Sequence, residues 1–185
     1  MEEHYCHDIN SFPLDKFLQR GKGIGKKVLI LGEAPAANGW RKSGKAFYTV
    51  EGKLIPTGKN LNKLLDQFKL SVEICAFTEL IKCFIGSNRK LLNVCGKKCW
   101  YIFIKQLELL HPVLIIILGV TTLDIFNKQL ESSLPREEIS KIQINGKIYS
   151  VLPIYHPSPI NSTNRPKNEE IFKKNTINLN KILFT

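Results

Sequence analysis

The sequence lacks the segments that would carry it into or across a membrane. Its longest apolar run, PVLIIILGV at 112–120, is short, whereas a helix needs about 20 apolar residues to span a bilayer. The opening residues, MEEHYCHDIN, are polar and acidic, so no secretory signal peptide is expected there. We therefore expect a cytoplasmic protein whose five cysteines do not form structural disulfides.

Acidic residues are scarce relative to basic ones. The 185-residue chain has 16 Asp and Glu against 27 Lys and Arg, which gives a net charge of +11 at pH 7. Such an excess indicates a polyanionic partner, with nucleic acid before an anionic membrane surface. The alternative is a basic surface that only keeps the protein soluble.

Short apolar runs alternate with amphipathic segments along the chain. The runs predict buried strands at 26–31, within 73–83 and at 112–118. Asn145-Gly146, between two alternating runs, predicts a β-hairpin. Helical patterns occupy the segments between and after the strands: 57–70, 97–111, 119–130 and 169–184. This order predicts a single α/β domain over 1–185, a three-layer α/β/α sandwich with a mostly parallel central sheet.

Three unusual loops follow predicted strands. They are GEAPAANGWRKSGKAFYT at 32–49, KCFIGSNRK at 82–90 and HPSPINSTNRP at 156–166. In sheets of this kind the ligand lies beyond the carboxyl ends of the strands. We therefore expect the three loops to converge on one crevice.

The first loop carries a carboxylate and several groups suited to a nucleic acid. Gly32 allows a sharp turn that brings backbone N–H groups near a ligand. Glu33 can orient water or stabilise positive charge at the strand end, or it is a solvated residue of an ordinary loop. Phe47 can stack on a base or anchor the loop to the core. Basic and aromatic side chains follow one another closely here, as a flipped nucleotide requires: Arg41, Lys42, Lys45, Phe47 and Tyr48.

The third loop combines stiffness with polar groups. Its three prolines hold the backbone, while the hydroxyls of Ser158 and Ser162 and exposed N–H groups can bind phosphate oxygens. Arg165 and Lys167 add positive charge. His156 stands where the strand ends, so it either reaches into the crevice or is a turn histidine with local hydrogen bonds.

Together these segments resemble the uracil-DNA glycosylase superfamily over most of the chain. LILGEAPAANGWRKSGKAFYT is similar to its first motif. Within that motif Glu33 matches the iron–sulfur type (family 4), whereas APAANG and the spacing R-x-S-G-x-x-F look more like family 5. HPSP after the last predicted strand is similar to the terminal motif and is the most specific match. TELIKC with the following NR and a later cysteine resembles the segment from the base-recognition strand to two cluster cysteines.

The resemblance implies a DNA glycosylase of base-excision repair, which flips a nucleotide out of DNA and hydrolyses its N-glycosidic bond. It implies that Phe47 stacks on the base and that His156 donates a hydrogen bond to the leaving base. Glu33 would orient water and offset the positive charge on the sugar. The expected partner is DNA with a damaged or deaminated base, bound by a monomer without membrane contact.

The remaining contacts are assigned by the same resemblance. Backbone groups of Gly32 and Ala34 would hold the base edge or the water, and Asn88 would contact the substrate. The loop PSPINS would grip phosphates and push into the duplex. The implied DNA contacts come from basic and hydroxyl side chains of the three loops: Arg41, Lys42, Lys45, Arg89, Ser158, Ser162, Arg165 and Lys167.

Two departures from the family pattern leave alternatives open. Many relatives place Asn where this chain has Glu79, and an ionised Glu can only accept hydrogen bonds, whereas Asn also donates. Either Glu79 is protonated by burial, or the true substrate presents a donor at that edge. A non-catalytic nucleic-acid-binding relative and a small-molecule enzyme acting on a nucleotide are the competing functions.

The second departure concerns the cysteines. The iron–sulfur type uses an early C-x-x-C pair and two later cysteines, whose spacing Cys83 and Cys99 match. The early pair is absent, since only Cys6 stands near the start and SFPL occupies 11–14; Cys95 could substitute as a ligand. We therefore favour no cofactor, with a 4Fe–4S cluster as the alternative.

Overall fold

The computed structural model describes residues 8–37 and 39–185, and its framework is a sheet with strand order β1-β3-β2-β4-β6-β5. β2, β3, β4 and β6 run parallel, whereas the edge strands β1 and β5 run antiparallel to their neighbours. The strands are β1 Leu18–Gln19, β2 Val28–Gly32, β3 Ala76–Glu79, β4 Leu114–Leu118, β5 Ser140–Ile144 and β6 Lys147–Ile154. The carboxyl ends of the four parallel strands therefore share one edge.

Helices cover both faces of this sheet. They are α1 Trp40–Ser43, α2 Pro56–Leu65, α3 Leu91–Leu110, α4 Val120–Leu130 and α5 Asn164–Phe184. Apolar residues of α2 and α5 share one core with Val28 and Ile30 of β2. Those of α3 and α4 share a second core with Leu29 and Leu31. Because alternate residues of a strand point to opposite faces, this arrangement confirms the predicted three-layer sandwich.

The predicted elements are found, with shifted ends. The hairpin turns at Asn145 and Gly146, whose φ angles are 48° and 78°, as a type I′ turn requires. α5 begins at Asn164 rather than at 169, because a proline in the first helical turn lacks only an N–H that has no partner within the helix. Within the described ranges, every helix is too short or too polar to cross a bilayer.

Candidate active site at the strand ends

A crevice opens where the four parallel strands end. Its volume is about 390 Å³, which is enough for a base with its sugar. The first and third of the three loops meet there as predicted, whereas no residue of the second loop, 82–90, is part of the lining. The side chains and backbone on which its chemistry depends come from β2, β3 and the two loops: Gly32, Glu33, Phe47, Phe77, Glu79 and His156.

Glu33 is held by an arginine of the second loop. Arg89 donates from Nη1 to Oε1 of Glu33 at 2.6 Å and from Nη2 to Oε2 at 2.9 Å. The pair is bidentate, the geometry that fixes a carboxylate most firmly. Each carboxylate oxygen keeps a further lone pair, so Glu33 can still accept a hydrogen bond from water.

This pairing bears on two predictions. Arg89, which is predicted to contact DNA, pairs with Glu33 in the structure, and its contact with DNA stays a prediction. Asn88 was expected to contact the base, but it is exposed and does not line the crevice. Its N–H donates to the Ile85 carbonyl at 3.0 Å, and it is the next residue, Arg89, that contacts Glu33.

His156 has a defined hydrogen-bonding state. The backbone N–H of Ser158 donates to Nδ1 of His156 at 3.2 Å, so Nδ1 is an acceptor and the proton of the neutral ring lies on Nε2. The imidazole is exposed at the crevice mouth. Loss of water around it still lowers its pKa, while the charge of Glu33 acts in the opposite direction. A neutral ring with an N–H donor is therefore favoured at pH 7.

Gly119 makes room for this histidine, and sequence reasoning missed it. Its φ is 91°, a conformation that side-chain-bearing residues rarely adopt. A Cβ at this position would lie 3.2 Å from Cβ of His156. The available signal was a glycine directly after a buried strand, where the backbone often approaches a ligand or another segment closely.

Glu79 forms part of the crevice lining, beside Gly32, its register partner in the neighbouring strand. Its side chain is buried, with 8% of the residue exposed. Its Oε2 is also buried and has no hydrogen-bond partner among the described residues. Burial raises the pKa of the Glu79 carboxyl to about 8; positive charge on Lys82 opposes this and negative charge on Glu33 adds to it.

A lysine lies beneath the crevice in the same strand-to-loop segment. Nζ of Lys82 donates to Thr78 Oγ1 at 2.7 Å, to Gln106 Oε1 at 2.6 Å and to the Glu79 carbonyl. Burial lowers the pKa of Lys82 to about 7, against the effect of negative charge on Cys99 and Glu79. The lysine therefore binds the Glu79 backbone, and no ion pair joins it to that carboxyl among the described residues.

Phe47 anchors its loop to the core, whereas its stacking on a base stays a prediction. It is buried, at 9% exposed, and its ring packs edge-on against Phe77 with centroids 4.7 Å apart. It also lines the crevice, as does Trp40, whose ring centroid lies 5.1 Å from that of Phe77. Phe47 is thus a core anchor that also lines the crevice beside the space for a base. Ala34, another predicted contact, lines the same space.

The other basic residues expected to contact DNA lie on the surface, with intramolecular contacts of their own. Exposed ion pairs contribute only about 0–1 kcal/mol, so phosphates can compete for these cations. Lys42 and Ser162 are exposed, and Ser158 is half-buried. The recorded contacts are Lys45 with Glu73 at 2.9 Å, Arg165 with Glu169 at 2.9 Å, Arg41 over Phe84 at 4.1 Å and Lys167 over Tyr155 at 4.9 Å.

The cysteines do not assemble a cluster site within the described ranges. Cys83, Cys95 and Cys99 are buried, but no three His, Cys, Asp or Glu side chains in 8–37 and 39–185 are grouped to hold a metal. The SFPL segment, where the early pair is missing, places Phe12 in a small apolar core with Ile102. Cys6 lies outside the described residues. The absence of a cofactor therefore remains a prediction.

Comparison with known proteins agrees with this geometry. Three curated relatives are each named Type-4 uracil-DNA glycosylase. The protein from Saccharolobus solfataricus is 30% identical over 185 residues, covering 94% of this chain and 81% of that protein. The Archaeoglobus fulgidus protein is 27% identical, and the match covers 75% of this chain and 70% of that protein. The Thermotoga maritima protein is 26% identical, and the match covers 75% of this chain and 68% of that protein.

The family profile extends over nearly the whole sheet. The profile described as Uracil DNA glycosylase superfamily matches residues 19–179. That range includes all four parallel strands and every crevice residue discussed above. The chain therefore belongs to the uracil DNA glycosylase superfamily.

Proposed function

We propose that this protein is a DNA glycosylase of base-excision repair that hydrolyses the N-glycosidic bond of uracil or another deaminated base flipped out of DNA. The observation that carries the proposal is the joint placement of His156 and Glu33 in one crevice, with Nδ1 of the histidine already engaged. The relatives' names support the same reaction class.

In this proposal His156 stabilises the leaving base. Because Nδ1 accepts from the Ser158 N–H, the Nε2–H is free to donate to a carbonyl oxygen of the base. Negative charge grows on that oxygen as the glycosidic bond breaks, so the hydrogen bond is stronger in the transition state than in the ground state. A neutral donor suits this task because the proton can stay on the histidine.

Glu33 acts on the opposite side of the breaking bond. Its carboxylate offsets the positive charge that develops on the sugar and accepts a hydrogen bond from the attacking water. Arg89 is a positioning residue, since its two hydrogen bonds fix the carboxylate plane. The C–N bond breaks with both electrons leaving on the base, the water oxygen bonds to the sugar carbon, and the proton released from the water passes to the Glu33 carboxylate.

The HPSPINS loop would hold the DNA open. Ile160 is 95% exposed at the tip of this loop, between a proline and Asn161. An apolar side chain there can fill the space that a flipped base leaves in the duplex. The hydroxyls and basic residues around it would bind neighbouring phosphates. We expect a cytoplasmic monomer acting on DNA.

Single-turnover excision assays test the proposal. Oligonucleotides that carry uracil, hypoxanthine or xanthine are incubated with excess protein, and alkali then cleaves the abasic sites. His156→Ala should lower the rate by roughly 10²–10³ while DNA affinity changes little. His111→Ala is the matched control, because His111 is exposed at the end of α3 and does not line the crevice. Equal rates for natural protein and His156→Ala would reject the role of His156.

The competing function is DNA binding without excision. One observation favours it, since both oxygens of Glu33 already accept hydrogen bonds from Arg89. It predicts salt-sensitive DNA binding with no abasic product from any of the three bases. Excision of any of them removes this alternative.

A further inference from the structure

We propose that Glu79 works as a neutral carboxylic acid that recognises the N–H and adjacent C=O of a deaminated base, through one donated and one accepted hydrogen bond. The inference rests on the proposed function for its biological role. It assigns to Glu79 the recognition of a lactam edge, which uracil, hypoxanthine and xanthine carry and which cytosine and adenine lack.

The placement of Glu79 is the first support. It is the last residue of β3, paired in register with Gly32 of β2. A Cβ at Gly32 would lie 3.1 Å from Cζ of Phe77 and 3.4 Å from Cγ of Glu79, so the glycine lies close to both side chains. Both residues line the crevice. The carboxyl group therefore lies where the edge of a flipped base would arrive.

The missing partner is the second support. Oε2 of Glu79 is buried with no hydrogen bond from any described residue. A buried polar atom left unpaired costs about 1–3 kcal/mol, and one that lines a ligand crevice can be satisfied by the ligand. The nearby donors are engaged elsewhere, since Lys82 donates to the Glu79 carbonyl, Thr78 and Gln106.

None of the charged groups described around Glu79 forms an ion pair with its carboxyl. Glu33, from the end of β2, is a second carboxyl and is paired with Arg89. Lys82, which follows β3, is itself buried and bound to three other acceptors. His156, after β6, has its Nδ1 engaged by Ser158. Burial raises the pKa of Glu79 to about 8, which agrees with a neutral acid at pH 7.

The chemistry of the two protonation states separates substrates. A neutral carboxyl offers one O–H donor and one C=O acceptor, the same pair that an Asn amide offers. It can donate to O4 of uracil and accept from N3–H. An ionised carboxyl offers only acceptors, so O4 would face a negative oxygen without a proton between them. Recognition of the lactam edge should therefore be lost as Glu79 ionises.

Binding of free uracil tests the inference without catalysis. Calorimetric titrations at pH 6.5, 7.5 and 8.8 compare the natural protein with Glu79→Gln, whose amide donates and accepts at every pH. All other titrating groups, including N3–H of uracil, are common to both forms. We expect the affinity ratio of natural protein to Glu79→Gln to fall between pH 7.5 and 8.8 by at least about fivefold, since ionisation above the pKa removes the binding form. 3-Methyluracil, which lacks N3–H, should not bind.

Each remaining outcome is decisive. A constant ratio across pH, tight binding of 3-methyluracil, or no binding of uracil by either form overturns the inference. If Glu79→Gln does not fold, Glu79→Asn takes its place, because its amide offers the same two groups. If the affinity ratio falls with pH as expected but uracil-containing DNA is not cleaved, the glycosylase function is rejected. The role of Glu79 in recognising the base is then retained.

Discussion

The buried carboxyl of Glu79 should make the stability of the folded protein depend on pH. Its pKa rises from an ordinary 4.5 to about 8, chiefly through burial. Between these two values the folded state keeps a proton that the unfolded state has lost. Stability contributed by this group is therefore lost as pH rises through that window, and it is constant below pH 4.5 and above about pH 8.

The magnitude follows from the width of the window. The slope is about 1.4 kcal/mol per pH unit for one proton. Across the range from 4.5 to about 8, the accumulated loss is about 5 kcal/mol. Since whole domains are stable by about 5–15 kcal/mol, the effect is large. Glu79→Gln keeps the shape of the neutral acid and cannot ionise, so it should gain stability over the natural protein as pH rises.

Urea denaturation at pH 5, 6, 7, 8 and 9 measures this difference. Lys82 titrates in the opposite sense, because its pKa is lowered to about 7 and its contribution to stability rises with pH above that value. Both proteins contain Lys82, so it largely cancels in the difference between them. Glu170→Gln, at an exposed position, serves as control and should show a flat difference. A flat difference for Glu79→Gln would refute the burial argument.

Four further outcomes are expected. Arg89→Lys should lower the single-turnover rate about tenfold with little change in DNA affinity, because an ammonium cannot hold both oxygens of Glu33; an unchanged rate would contradict this. Gly119→Ala should displace His156 and slow excision by about 10², whereas Gly146→Ala, which also has a positive φ but open space around it, should not. DNA affinity should fall with salt with a log–log slope of about −3 to −4, as for roughly four phosphates; a zero slope would exclude phosphate contacts. Purified protein should be colourless, with no stoichiometric iron and sulfide.

Much of the fold could be predicted because its central strands are buried on both faces. Such strands appear in a sequence as continuous apolar runs, and residues 28–31 and 114–118 are of this kind. The convergence of the first and third loops followed from topology alone. β1 was missed because two residues, Leu18 and Gln19, carry no periodic signal.

The chemistry of the site was harder to predict because it depends on pairs distant in sequence. The Arg89–Glu33 pair spans 56 positions, and a basic residue in an exposed loop looks like a phosphate contact until its partner is known. The clearance between Gly119 and His156 is a property of two adjacent strand ends. The position of the site residues relative to the sheet could be predicted, whereas the hydrogen-bond partners of their side chains could not.

The crevice contains two carboxyls, and their negative charge would oppose the binding of an anionic substrate. If both were ionised and unpaired, they would repel the phosphates that the basic loops attract. Glu33 is instead balanced by Arg89, and burial keeps Glu79 in its neutral form near pH 7. The neutral form of His156 is favoured as well, since loss of water around its ring lowers its pKa. The crevice thus has almost no net charge beneath a positive rim, and under the proposed function Glu33 would meet a second positive charge as it develops on the sugar. Under the proposed function, these different local environments would also divide the tasks of the two carboxyls: Glu33 would stabilise charge and Glu79 would read the base.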